Sequence, residues 1–205
     1  MKSSKIKTTA LQVIFASSVI FGAASCEHKD ADKKSSDHTS VQVTPDIAED
    51  QNDGKFNESA DEKNAAFLLK AAEINLEEIS LGKLAQTKSA NKDIKELGKM
   101  MEMAHTKSLA DLTVLAAKKS ISIPTVMSAN DKAMYDKLEA KSEKDFNKDY
   151  ADKMVSGHKD AISLFEKQST DSSDEDIKTW ATNMLPSLRE HLDQAIAVQD
   201  KCSKM

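Results

Sequence analysis

Three histidines and one glutamate interrupt regularly spaced apolar residues in four separate segments of the chain: His105, His158, His191 and Glu78. His158, for example, lies four residues after Met154, within a pattern whose apolar residues recur every three or four positions. Imidazole and carboxylate groups that meet inside a protein can bind zinc, copper or iron. These four residues are therefore candidate ligands of a transition metal.

Glu102 is a fifth candidate, because it lies one helical turn before His105 and forms a Glu-x-x-His pair with it. Ferritin-type di-iron sites contain two such pairs. Leu188 occupies the corresponding position before His191, so the sequence disfavours a di-iron carboxylate centre. The alternative for all five candidates is a structural polar cluster, in which each buried histidine is hydrogen-bonded to a neighbouring carboxylate.

The elements that would position these side chains form two similar halves. Residues 79–81 align with residues 162–164, and the same offset of 83 residues continues along both halves. Apolar residues in each half recur at the spacing of two helices joined by a short turn. A low aromatic content with many Ala, Leu, Lys and Glu residues is typical of helical bundles. The predicted long helices span residues 61–87, 92–119, 145–169 and 175–201, with a short helix at residues 128–140.

This pattern predicts an all-α fold, a ferritin-like four-helix bundle made of two repeated helical hairpins with a crossover that contains the short helix. An up-down bundle with an inserted helix is the alternative. At 1.5 Å per residue from the turns, Glu78 and the three histidines fall near the middle of their helices, which favours one shared site. Pro186, one turn before His191, predicts a kink in the fourth helix.

The amino-terminal part of the chain is predicted to lie outside the folded domain. Residues 1–25 have the basic start, short apolar core and small final residues of a secretory signal. Cys26 follows directly, so the segment resembles a bacterial lipoprotein signal and Cys26 is the predicted lipidation site; ordinary secretion with a free Cys26 is the alternative. Residues 26–60 are polar and charged and are predicted to be a disordered tether. The folded domain would then span residues 61–205.

Composition excludes several classes of function. The net charge of −5 with intermixed signs gives no basic stripe, so nucleic acid is not an expected partner. The sequence has no nucleophile–base pair, no phosphate-binding glycine loop and no CxxC motif, so we expect binding more than catalysis. The expected partners are a membrane, through the lipid anchor, and another protein or a second copy of this chain.

Several ordered motifs resemble the DUF4142 family over about residues 65–199. The motifs are Phe-Leu-Leu-Lys-Ala-Ala-Glu at residues 67–73, Met101-x-x-x-His105, Met154-Val-x-x-His158 and Leu185-Pro-x-Leu-Arg-Glu-His191. The resemblance implies a bacterial envelope protein with a ferritin-like fold, and it places all three histidines at family motif positions. It carries no established activity.

Together, the signal and the resemblance predict a lipoprotein of the bacterial envelope, anchored in the outer membrane and facing the periplasm. The expected function is non-enzymatic binding or stress protection. The alternatives are a metal-binding or redox protein that uses Glu78, Glu102 and the three histidines, and a structural interaction module displayed by its tether.

Overall fold

Helices make up most of the chain that the structure describes, which is residues 42–56 and 59–204. This computed structural model has six helices within those residues and no strand, which confirms the predicted all-α class. The predicted signal peptide and Cys26 lie outside the described residues. The helices are α1 (Pro45–Asp53), α2 (Ser59–Lys88), α3 (Lys92–Lys118), α4 (Ala129–Glu139), α5 (Glu143–Asp171) and α6 (Glu175–Cys202).

Short polar side chains fix the beginnings of four helices. The Asn91 side chain accepts a hydrogen bond from the Ile94 N–H at the start of α3, and Asp174 accepts one from the Ile177 N–H at the start of α6. Serines cap α4 and α5 in the same way. Each cap satisfies a backbone donor that has no partner within the helix. The five helices that the sequence predicts accordingly begin and end within two residues of the predicted bounds.

The four long helices pack as two hairpins. α2 lies along α3 and α5 lies along α6, and only the residues 89–91 and 172–174 separate the partners in sequence. Turns this short make the two helices of each hairpin antiparallel. α2 also contacts α5, and α3 contacts α6, so the hairpins pack against each other. α4 lies in the connection between the hairpins and contacts α2 and α5.

Two glycines allow α2 and α3 to approach closely. A Cβ atom on Gly82 would lie 2.6 Å from the Gly98 carbonyl oxygen, and one on Gly98 would lie 2.7 Å from the Gly82 carbonyl oxygen and from the Ala85 Cβ. No side chain larger than hydrogen fits at those distances. The repeat does not preserve this contact, because Phe165 and Ala181 occupy the equivalent positions of the second hairpin.

Buried apolar residues form two clusters, and all four long helices contribute to both. The first cluster includes Leu68, Leu112, Phe165 and Ile177, and the second includes Leu81, Met101, Phe146 and Val198. Between the two clusters, each long helix carries buried polar residues instead. We call this group the polar layer; it consists of Asn75, Glu78, His105, Ser108, His158 and His191. The fold therefore brings the four mid-helix candidates of the sequence to one level.

The predicted tether is wrong for residues 45–56, because α1 lies inside it and belongs to the folded domain. The Asn52 side chain donates to the Ser122 carbonyl oxygen (2.8 Å) and accepts from the Ser122 N–H (2.7 Å). The Thr44 side chain caps α1 and Pro45 is its first residue, a pairing that favours helix initiation. The polar composition of residues 26–60 indicated disorder, although Thr44 and Pro45 are residues that favour the start of a helix. The folded part therefore begins well before residue 61.

No helix among the described residues is long and apolar enough to cross a bilayer.

α6 continues as a helix through Pro186, which is exposed to solvent. His191 follows one turn beyond this proline. It lies near the middle of its helix, as the sequence predicts, and its side chain belongs to the polar layer.

Candidate metal centre

Three histidine rings from three different helices meet in the polar layer. His105 of α3, His158 of α5 and His191 of α6 have ring centroids 5.4 to 5.6 Å apart. One nitrogen from each ring lies within 4.8 Å of the nitrogens of the other two. The three residues are only 3%, 1% and 5% exposed. The fold therefore brings together the three histidines that the sequence singled out.

The ring of His105 is fixed by Asn75 of α2. The Asn75 side-chain NH₂ group donates to the Ala71 carbonyl oxygen (2.8 Å), so its amide oxygen is turned toward His105. Because that oxygen can only accept, the His105 Nδ1–H donates to it (2.9 Å). The other ring nitrogen, Nε2, must then carry the lone pair.

The ring of His158 is fixed by its own helix. Its Nδ1 lies 2.9 Å from the Met154 carbonyl oxygen. A carbonyl oxygen can only accept, so Nδ1 carries the proton and donates to it. Nε2 of His158 is left as an unprotonated nitrogen, as in His105.

His191 is held by a hydroxyl one turn earlier in α6. Its Nε2 lies 3.2 Å from Oγ of Ser187, which is half-buried. A hydroxyl can donate or accept, so this contact does not by itself decide which ring nitrogen bears the proton.

In each ring the second nitrogen is buried and makes no hydrogen bond to the described residues. These atoms are Nε2 of His105, Nε2 of His158 and Nδ1 of His191. Burying a polar atom without a partner costs about 1–3 kcal/mol. Three such atoms on facing rings are the arrangement expected where three imidazoles bind one metal ion.

The environment keeps all three rings uncharged. Burial lowers the pKa of His105 well below its usual value, and the nearby rings of His158 and His191 lower it further. Burial lowers the pKa of His158 to about 4, against the opposing effect of its hydrogen bond to Met154. Burial also lowers the pKa of His191. Unprotonated imidazole is the form that binds metals, so protons do not compete for these nitrogens at neutral pH.

Glu78 of α2 lies beside the histidines but is not hydrogen-bonded to them. Its Oε1 is 3.9 Å from the His158 Nδ1, and its Oε2 is buried without a partner among the described residues. Burial raises the pKa of Glu78 to about 8, and the negative charge of Glu77 adds to this, while Lys153 opposes it. Glu78 therefore lies beside His158 as a buried carboxyl group, outside the group of three histidines.

Glu102 does not reach the histidines. Its carboxylate accepts a hydrogen bond from the Gln86 side chain (2.7 Å) and lies 4.0 Å from the Lys83 ammonium group, at a partly exposed position between α2 and α3. The close approach of these helices at Gly82 brings Glu102 against α2. It therefore neither joins the group of histidines nor supports His105, which is held by Asn75 instead.

The helices that contain these residues match a known protein family. The sequence profile of the family described as a domain of unknown function, DUF4142, matches residues 50–198. The chain belongs to the DUF4142 family. No curated protein and no solved structure shows significant similarity to this DUF4142 chain.

Two polar residues that contact the histidines, Asn75 and Ser187, were not predicted from the sequence. Both are neutral, and neutral polar residues in helices more often face solvent. Asn75 could have been found from its spacing, because it lies four residues after Ala71 and three before Glu78. Ser187 similarly lies four residues before His191, where an i, i+4 pair shares one helix face.

A set of three neutral imidazoles would suit a borderline transition metal. Neutral imidazole nitrogens favour zinc, copper, nickel or iron, whereas magnesium and calcium prefer oxygen ligands. Three protein ligands also leave at least one position on the metal for another group. Asn75, the Met154 carbonyl and Ser187 would orient the rings, as hydrogen-bonded partners of metal-binding histidines commonly do.

Proposed function

We propose that this DUF4142 domain binds one transition-metal ion per chain through His105, His158 and His191. The observation that carries this proposal is the convergence of three buried histidines, one nitrogen of each lying within 4.8 Å of the others, while each ring also has a buried nitrogen without a partner among the described residues. Zinc, copper and iron are the candidate ions, because all three accept imidazole ligands.

A purely structural polar cluster accounts less well for these atoms. In such a cluster each buried polar atom has a hydrogen-bond partner, since an unpaired one costs free energy. Glu78 is the nearby carboxyl group, yet its Oε2 is buried without a partner, and none of the three unpaired ring nitrogens has a hydrogen bond to the described residues. The three rings that carry these unpaired nitrogens lie beside one another, so that one shared cation could supply the missing partner.

We further propose that α2, α3, α5 and α6 form a ferritin-like four-helix bundle, with α4 in the crossover between its two hairpins. The paired contacts of α2 with α3 and of α5 with α6 support this arrangement. In this bundle the ion would link the first hairpin, through His105, to the second, through His158 and His191. Metal binding would thereby stabilise the packing of one hairpin on the other.

The site would operate in the bacterial envelope. Residues 1–25 have the features of a lipoprotein signal and Cys26 is the proposed lipidation site, which would anchor the domain to a membrane, the outer membrane on its periplasmic face. Incorporation of labelled palmitate into the wild-type chain, but not into Cys26→Ala, is the expected result. Equal labelling of both would contradict lipidation at Cys26.

The first experiment is metal analysis of the tag-free full chain after removal of bound metal and reloading with Zn²⁺, Cu²⁺ or Fe²⁺. About one ion per chain is expected in the wild type, with loss of the ion in His105→Ala/His158→Ala. His28→Ala/His38→Ala is the matched control, because it removes the other two histidines of the chain, and it should keep the ion. No bound ion in the wild type would overturn the proposal in favour of a structural cluster.

Protein binding by the outer face of α3 is a second candidate function. Met103 and Val114 are 64% and 71% exposed, and eleven residues of helix place them on nearly the same face. Met100 and Ala104 continue the apolar surface beside Met103. Sedimentation of the wild type against Met103→Lys/Val114→Lys tests this face. Self-association that disappears in the double variant would support a second copy as partner.

A further inference from the structure

The hydrogen bond between Ser187 and His191 has a consequence for how the site binds its ion. We infer that Ser187 is a positioning residue that holds His191 with its proton on Nε2, so that His191 binds the metal through Nδ1. The other two histidines would bind through Nε2. This inference rests on the proposed function and specifies the ligand atoms of that same site.

The proton position follows from comparing the two possible tautomers of His191. With the proton on Nδ1, a buried N–H would have no acceptor within hydrogen-bonding distance among the described residues. With the proton on Nε2, the N–H donates to Oγ of Ser187, 3.2 Å away. Buried N–H groups without acceptors are rarer in proteins than acceptors that lack a donor. The hydrogen bond to Ser187 therefore favours the Nε2–H tautomer.

The position of the Ser187 hydroxyl agrees with this role. Several hydroxyls elsewhere in the long helices donate to a carbonyl three or four residues earlier, as in Ser80, Ser163 and Thr182. The Ser187 hydroxyl is instead directed at the ring of His191, the residue one turn ahead. Ser187 is also half-buried, so its own proton can be donated to solvent while its oxygen accepts from the ring.

The resulting ligand set is asymmetric. His105 and His158 have partners that can only accept, an amide oxygen and a carbonyl oxygen, and these fix the proton on Nδ1. His191 has the opposite tautomer because its partner contacts Nε2. The histidine held by a hydroxyl is therefore the one whose tautomer is most easily changed by substitution.

Long-range ¹H–¹⁵N correlation spectra of the full metal-free chain test the inference, since they distinguish the two tautomers of each ring. The expected result is the Nδ1–H form for His105 and His158 and the Nε2–H form for His191. In the zinc-loaded chain, the ¹⁵N shift of Nδ1 of His191 should move to the range of a coordinated nitrogen. An Nδ1–H form of His191 in the metal-free chain would overturn the inference.

Substitution of Ser187 provides the second test. Ser187→Ala should give a mixture of His191 tautomers and weaken zinc binding about 10-fold or more, the usual effect of losing such a partner. Ser187→Thr keeps the hydroxyl and should restore both. Ser163→Ala is the control, because the Ser163 hydroxyl bonds only its own helix, to the Lys159 carbonyl oxygen.

The outcomes separate this inference from the proposed function. An Nε2–H form of His191 that is lost in Ser187→Ala, in a chain that binds no zinc, would support the positioning role and overturn the metal proposal. Zinc binding with unchanged affinity and tautomer in Ser187→Ala would support the metal proposal and overturn the positioning role.

Discussion

The Nδ1 atom of His158 lies 3.9 Å from Oε1 of Glu78, so the buried carboxyl is beside the histidine without being hydrogen-bonded to it. The two groups are also both uncharged near neutral pH, for the same reason. Burial disfavours the charged form of each, which raises the pKa of Glu78 to about 8 and lowers that of His158 to about 4. The contributions of the two residues to the stability of the fold therefore depend on pH with opposite signs.

Glu78 should make the metal-free protein less stable as the pH rises. Its pKa is raised from 4.5 in the unfolded chain to about 8 in the folded one, so the folded state holds the proton more tightly. The stability it contributes is complete below pH 4.5 and is lost as the pH rises toward 8. Between pH 6.5 and 8.5 we expect a loss of about 2 kcal/mol, measured by urea unfolding with a chelator present.

Glu78→Gln should abolish most of this loss, because glutamine does not titrate. Glu102→Gln is the control, since Glu102 is partly exposed, lies outside the polar layer and is not among the charges that shift the pKa of Glu78. An equal pH dependence in the wild type and Glu78→Gln would show that Glu78 ionises normally.

His158 should titrate near pH 4 in the folded, metal-free chain, compared with about 6.5 for a histidine in a peptide. Because the folded pKa is lowered, protons bind the unfolded chain first, and stability is lost as the pH falls from 6.5 toward 4. NMR titration of the His158 ring protons measures the midpoint directly. A midpoint above 6 would mean that the ring is solvated.

Asn75→Ala should weaken both folding and metal binding. The substitution leaves the His105 Nδ1–H buried without an acceptor, which costs about 1–3 kcal/mol in the metal-free chain. Loss of this ring partner should also lower metal affinity about 10- to 100-fold. Calorimetric zinc titration and urea unfolding measure the two effects. Asn183→Ala, at an exposed position of α6, should change neither, and a similar effect of both variants would remove Asn75 from the site.

Gly98→Ala should destabilise the domain even though alanine favours helix. The new methyl group would lie 2.7 Å from both the Gly82 carbonyl oxygen and the Ala85 Cβ, so α2 and α3 would have to separate, at a cost of about 1–3 kcal/mol. Gly157→Ala is a matched comparison, because its Cβ would meet only Oε1 of Glu78, at 3.4 Å. We expect it to be neutral or to stabilise the protein by up to about 1 kcal/mol. Urea unfolding of both variants in chelator compares them, and equal effects would contradict the close helix contact.

Residue spacing predicted the helices and the meeting of the histidines well, because both depend on helical periodicity. A side chain in the middle of an amphipathic helix has its height and its face fixed by its position in sequence. His105, His158 and His191 each satisfy that condition, so a common level could be deduced before their contacts were known.

Spacing was insufficient where a contact depends on how two helices approach. Glu102 is on nearly the same face as His105, yet the close approach at Gly82 directs it toward Gln86. Composition similarly concealed α1, whose stability comes from the long-range hydrogen bonds of Asn52 to Ser122. The choice between Asn75 and Glu102 as the partner of His105 required the positions of the rings themselves.

The polar layer divides the interior of the domain into two apolar regions, and this division affects how long the protein would survive in a cell. Without an ion, the unpaired nitrogens would weaken the polar layer, where transient opening would admit water and proteases. With an ion bound to both hairpins, opening would require its release, which shifts the equilibrium toward the closed state. The amount of intact protein would therefore follow the supply of its metal. When the metal is scarce, proteases would degrade the chain faster.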